Sequence, residues 1–187
     1  MSDYHHFKGD NLTRSEFIQR LVTRIIMDSK VPDEKRENSK VWELKHHASS
    51  VQIGRILAEK RGLCPELAEI ICVLHDIYAI EHGKYHDHAA LSAARAKDIL
   101  TETEDFTEEE IEIVREAIFA HSDKHIYTDN PYVELAKDAD VFDCSLYQGS
   151  QGFYKMHKPE NVYNEYVSRI KKIRLELGLR DEPVFRD

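Results

Sequence analysis

The sequence predicts an all-α protein, a compact single-domain helical bundle of about six to seven helices. Three observations carry this. Apolar residues recur at spacings of three and four, the period of a helix with one buried face. No stretch alternates apolar and polar residues as a half-buried strand does, and glycine is scarce, with 7 among 187 residues. Two capping-box patterns, Thr13 with Glu16 and Thr107 with Glu110, mark helix starts independently of the periodicity.

Taken in order, the first helix is expected over 14–27, with Phe17, Leu21 and Ile25 in line. The charged stretch 31–40 reads as a solvated loop or polar helix start. A second helix is expected over 41–61, with Val51, Ile53, Ile56, Leu57 and Ala58 facing inward and Gly62 as its stop. Pro65 opens the third, where its missing N–H does no harm, and that helix is expected to run unbroken to His82 and Gly83. The fourth covers 88–100, and its small residues Ala89, Ala93 and Ala96 suit close approach to a neighbour. Thr107 and Glu110 open the fifth, which carries Ile111, Val114 and Ile118 in line with His121. The sixth is expected over 132–147, after Asn130-Pro131, and the last over 160–177, started by Pro159 and closed by Gly178. The whole of 1–187 is expected to form one domain.

The third helix holds the feature that sets the chemistry. Nine of the eleven residues in 70–80 are apolar or tyrosine, and the other two are His75 and Asp76. An ionisable pair in a helix apolar all round costs several kcal/mol in desolvation unless partners compensate it, and a metal ion is one such partner. Neighbouring side chains on a helix diverge by about 100°, so the two cannot form a private ion pair, but they can approach one ion from two sides or bridge two.

Composition narrows the function. A formal charge of −9 disfavours broad electrostatic binding of duplex nucleic acid or anionic membrane, yet is compatible with a small phosphate compound held by a metal. No apolar run approaches a membrane span, and the polar start is not expected to be a signal peptide. The three cysteines, Cys64, Cys72 and Cys144, form no CxxC and read as buried thiols in a reducing cytoplasm.

Other groups able to bind metal are His46 and His47, His86 and His88, His121 and His125, and Asp138, Asp140 and Asp143, each set on a different helix or at its end. Imidazole with carboxylate suits a hard to borderline divalent ion, Mn, Fe, Ni, Co, Zn or Mg, and not a soft-ligand site. Helical phase favours His46 weakly over His47 and does not separate Asp138 from Asp140.

In this order, KHHASSVQIGRILAEKRGL, AEIICVLHDI and KDADVFD resemble the HD superfamily of metal-dependent phosphohydrolases, whose pattern is a His, a His-Asp pair and a distant Asp. The resemblance covers about 42–147. It implies an HD-domain-like bundle with His46, His75, Asp76 and Asp140 as metal ligands, and in branches with two further histidines it adds His88 and His121 for a second ion. One or two divalent ions per chain are then expected. Asp76 is ligand or bridge, and His125, Asp138 and Asp143 are candidates to orient water or protonate a leaving group. Many members carry Gly-Lys soon after the His-Asp pair, where this chain has Tyr78 and Ala79. Lys124, Arg55 or Lys155 could supply that cation. The resemblance implies hydrolysis of a small phosphate ester or phosphoanhydride, such as a nucleotide; charge and cysteine usage add the expectation of a cytoplasmic enzyme that binds neither duplex nucleic acid nor membrane, and a homodimer is left open. A di-iron HD-type oxygenase and a non-catalytic, metal-stabilised binding module are the alternatives.

Overall fold

The computed structural model describes residues 6–186, so the expectation of no signal peptide lies partly outside the described residues, at 1–5. Among the described residues there are nine α-helices, one short 3-10 turn and no strand. They are α1 (Arg14–Asp28), α2 (Lys40–Arg61), α3 (Pro65–Leu74), α4 (Ile77–His82), α5 (His88–Thr103), α6 (Glu108–Ala120), α7 (Pro131–Ser145), α8 (Ser150–His157) and α9 (Glu160–Glu176). None is long and apolar enough to cross a membrane.

Both capping boxes form. Thr13 and Thr107 accept from the backbone N–H of Glu16 and Glu110, whose carboxylates accept from the cap N–H in return. Gly62 ends α2 at φ 67°, a conformation that favours glycine. Helices α1, α2, α6 and α7 pack around α3, which is buried along nearly its whole length, while α5 packs on α4 and α6 and α9 on α7, and one apolar core runs through the bundle. The core closes at the C-terminal end with Val184 and Phe185.

The all-helical expectation holds, and the departures from it have local causes. The count exceeds six to seven because the third helix splits and α8 was not foreseen. The split falls at His75 and Asp76, where Asp76 adopts φ −112°, ψ 20°. The His75 ring binds the Cys72 carbonyl through Nδ1 at 2.8 Å, occupying an acceptor that a continuing helix would use for the N–H four residues on. Helix α8 follows Gly149 at φ 84° and has no side-chain cap, so no start signal announced it. The 31–40 stretch contains the single 3-10 turn, Asp33–Lys35.

Two inner faces were also misphased. In α1 the fully buried stripe is Ile18, Val22 and Ile26, one residue on from the expected set, and Phe17 is exposed. In α2 Val51, Leu57 and Ala58 are buried but Ile56 is exposed. Helix α2 gives its inward positions instead to Glu43, His46, His47, Ser50 and Gly54. At Gly54 an added Cβ would meet the Cys72 sulfur, so glycine lets α2 lie close against α3.

Candidate metal centre

The break between α3 and α4 aims His75 and Asp76 at one point from the centre of the bundle. Around it, α2 contributes His46, the start of α5 His88, the end of α6 His121, and α7 Asp140. His46, His75, Asp76, His121 and Asp140 are all buried, and His88 is partly so. Sites on helix faces and helix ends hold side chains more rigidly than loops do.

The four histidines share one arrangement. Nδ1 of His75, His88 and His121 lies 2.8, 2.7 and 2.6 Å from the carbonyls of Cys72, Tyr85 and Ile118, and Nδ1 of His46 lies 2.6 Å from Asp143 Oδ2. Carbonyl and carboxylate oxygens only accept, so each Nδ1 donates its hydrogen outward and each neutral ring keeps a lone pair on Nε2. Those lone pairs converge: His46 Nε2 stands 3.1 Å from His75 Nε2, and His88 Nε2 stands 3.2 Å from His121 Nε2.

Asp76 lies between the two pairs. Its Oδ2 is 3.3 Å from His75 Nε2 and 4.0 Å from His46 Nε2, while its Oδ1 is 3.3 Å from both His88 and His121 Nε2. That Oδ1 is buried and has no hydrogen-bond partner. Facing lone pairs beside an unpartnered buried carboxylate oxygen are a demand for positive charge. Burial alone would lower His75 and raise Asp76, yet their mutual attraction wins, holding His75 above the usual histidine range and Asp76 well below the usual carboxylate range. Burial keeps His121 low despite Asp76. Protons therefore cannot compensate every ring at neutral pH.

Divalent ions can. Donor atoms about 2.0–2.2 Å from a common ion stand roughly 3–3.5 Å apart, the spacing seen within each pair and from Asp76 to His75, His88 and His121, with His46 farther off at 4.0 Å. The sets His46–His75–Asp76, His75–His121–Asp140 and Asp76–His88–His121 each bring three donors within 4.8 Å of one another. These residues fit a divalent-metal site, which they would hold from both sides of Asp76. Asp140 Oδ1 is 3.7 Å from His46 Nε2, while its Oδ2 takes the Lys124 ammonium at 2.5 Å. Asp140 and Lys124 hold each other charged against the cost of burial.

The centre opens into a pocket of about 790 Å³. One wall is aromatic, with Trp42, Tyr147 and Phe153, and Trp42 stacks on the His46 ring at 4.5 Å. Lys124 and Lys158 bring positive charge to another side. The loop carrying Ser122 and Lys124 is tied down by buried Arg169, which donates to the Lys124 carbonyl, and by Tyr166, which donates to the Ser122 carbonyl.

The HD domain family matches residues 44–144, more than half of the chain. The chain belongs to the HD domain family. Comparison with curated proteins and with solved structures returned no match. HD domains are for the most part metal-dependent hydrolases, and the matched span contains His75-Asp76 at the helix break.

Against this HD site, the sequence-predicted residues divide clearly. His46, His75, Asp76, His88, His121 and Asp140 come together. His47 lies beside them, its ring stacked on His75 at 5.1 Å, but it joins none of the donor groups: its Nδ1 donates to the Glu43 carbonyl, its Nε2 has no partner, and burial pushes it down to about 3. Asp138 faces away, bound to Arg61 and Arg169 at 2.6 Å each. His125 is exposed and lies outside the pocket wall, so its expected part in proton transfer is corrected. Asp143 is likewise corrected. It is buried behind His46, and its carboxylate fixes that ring and does not reach the pocket. Of the three cations considered, Lys124 lines the pocket, Arg55 pairs with Glu59 and Glu69, and Lys155 is exposed. Sequence reasoning missed Trp42, Ser122, Tyr85 and Cys144. Trp42 and Cys144 lie four residues from His46 and Asp140 on the same helices, a spacing that was there to be read.

Proposed function

We propose that this HD domain hydrolyses a small phosphate ester or phosphoanhydride, with nucleotides as the substrates its pocket suits best, using two divalent ions held by His46, His75, Asp76, His88, His121 and Asp140. The observation that carries the reading is Asp76, which offers one oxygen to each pair of inward-facing imidazole nitrogens. Bound there, divalent ions supply Lewis acidity, lowering the pKa of coordinated water and neutralising phosphoryl charge. The chain's own groups do the rest. The outward Nδ1 contacts keep each Nε2 available and each ring in place. Lys124 takes the part of the missing Gly-Lys cation: with one Asp140 oxygen as its partner and the pocket before it, its ammonium can donate to a phosphoryl oxygen. Ser122 Oγ, 3.1 Å from His88 Nε2, presents a hydroxyl at the same mouth. Trp42 and Tyr147 offer ring faces against which a base can lie, and exclude water from the centre.

The test is phosphate release from a panel of nucleoside mono-, di- and triphosphates and simple phosphate monoesters, with metal-stripped protein reconstituted with Mn, Fe, Co, Zn or Mg. Hydrolysis of at least one class, lost in Asp76→Asn, is expected. Inertness of every metal form across the panel, in a folded protein that retains metal, overturns the proposal. The same two-ion geometry also suits the di-iron oxygenase. Anaerobic iron-loaded protein that changes its visible absorption on exposure to air, and releases no phosphate, would select that alternative.

A further inference from the structure

We propose that Cys144 is also a metal ligand, so that His46, Asp140 and Cys144 form a nitrogen, oxygen and sulfur face on which a thiophilic divalent ion such as Zn, Co or Fe binds in preference to Mg or Ca. The proposal rests on the metal-centre reading above and changes its ligand chemistry, because imidazole and carboxylate alone would not favour soft ions this strongly.

Its basis is placement. Asp140 and Cys144 stand one turn apart on α7 and so share a face, and α2 brings His46 against that face from the other side. One donor atom from each of the three lies within 4.8 Å of the other two. Cys144 Sγ is 3.4 Å from Asp140 Oδ1, the same oxygen that stands 3.7 Å from His46 Nε2. Lys124 occupies Oδ2, so Oδ1, which accepts from the Cys144 S–H, is the oxygen turned towards the centre. Donors sharing an ion at a sulfur bond of about 2.3 Å and nitrogen and oxygen bonds of about 2.0–2.2 Å stand roughly 3–3.8 Å apart, a range that holds both the sulfur–oxygen and the oxygen–nitrogen edge. The centre that this face adjoins already asks for positive charge: Asp76 Oδ1, between His88 and His121, is buried and without a hydrogen bond, and Oδ2 of the same carboxylate is turned towards His46.

The other cysteines are placed differently. Cys72 is packed in the core against Gly54, and Cys64 is exposed at the start of α3. On metal binding the Cys144 thiol proton leaves to solvent and the thiolate takes its place at the ion.

Cobalt reports the ligands directly. Metal-stripped protein titrated anaerobically with Co2+ should develop visible d–d bands from the centre together with intense near-ultraviolet thiolate-to-cobalt charge transfer. Cys144→Ser should keep the d–d bands and lose the charge transfer, whereas Cys64→Ser should keep both. In competition, the preference for Zn over Mn should fall at least tenfold in Cys144→Ser. The wild-type spectrum decides even if the variant folds poorly. Visible bands without charge transfer leave the metal centre standing and overturn the thiolate ligand, as does charge transfer that survives Cys144→Ser. Failure to retain any cobalt overturns both the ligand and the centre.

Discussion

Asp76 stands 3.3 Å from His75 Nε2 through one carboxylate oxygen and 3.3 Å from His121 Nε2 through the other. The break between α3 and α4 makes this possible, since a continuous helix would carry Asp76 away with the next turn. The broken helix leaves a group that the apolar core cannot satisfy, so a cation bound there should stabilise the bundle around it.

Metal removal should therefore loosen the fold. Chelation should lower the melting temperature, and a divalent ion at a hundred times its dissociation constant should restore about 2.7 kcal/mol, roughly 5–10 °C for a chain of this size. Asp76→Asn should abolish that shift while leaving helicity intact. A melting temperature insensitive to chelator and metal would show that the cluster is compensated without ions. Differential scanning calorimetry with and without metal makes the comparison.

The second ion depends on His88 and His121. Their substitution by alanine should each reduce the metal content of saturated, desalted protein from two equivalents to one and cut activity by orders of magnitude. His125→Ala, on the same segment but exposed, should leave both unchanged. Elemental analysis settles it, and one equivalent in wild type, unaltered by either variant, would make this a single-ion centre.

Asp143 separates positioning from proton transfer. Because its carboxylate receives the His46 Nδ1 hydrogen at 2.6 Å and does not line the pocket, Asp143→Ala should weaken metal binding by roughly 10- to 100-fold. With metal in saturating excess, most activity should return. An activity loss that excess metal fails to rescue, with the pH–rate profile changed, would give Asp143 a part in proton transfer after all.

Much of this was legible in the sequence for physical reasons. A buried His-Asp pair in an apolar run has few solutions, and the capping boxes and Gly62 fix helix ends by local chemistry alone. What was not legible was tertiary. Periodicity in α1 fits two adjacent stripes, and packing against α3 selected Ile18, Val22 and Ile26 over Phe17, Leu21 and Ile25. Phase could not separate Asp138 from Asp140, because their difference lies in partners remote in sequence: Arg169 and Arg61 for one, Lys124 and His46 for the other. The surroundings of Cys144 depend on how α2 packs on α7, which no local pattern encodes.

Glu43 gives the last prediction. It is fully buried on α2, receives the Tyr85 hydroxyl at 3.1 Å on both carboxylate oxygens, and has Arg36 no nearer than 3.8 Å. Burial first, and the charge of Asp76 second, push it up to about 7. An unfolded glutamate titrates near 4.3, so between about 4.3 and 7 the native chain binds more protons than the unfolded one, and stability must fall as pH rises. Glu43 thus contributes most below the unfolded value and loses that contribution as pH rises through the folded one. A tenfold difference in proton affinity between the two states is worth about 1.4 kcal/mol, so the loss is roughly 4 kcal/mol at most, nearly complete by pH 8. Glu43→Gln keeps the shape and an oxygen for Tyr85 but has no charge to bury, so between pH 5 and 8 it should lose less stability than wild type by on the order of 2 kcal/mol. Urea unfolding of both proteins at those two pH values, under one metal condition, measures the difference. Burial is the larger cause, so the difference should persist when added metal offsets the Asp76 charge. Equal pH slopes for the two proteins would mean that Glu43 is ionised in the fold, held so by Arg36 and Tyr85.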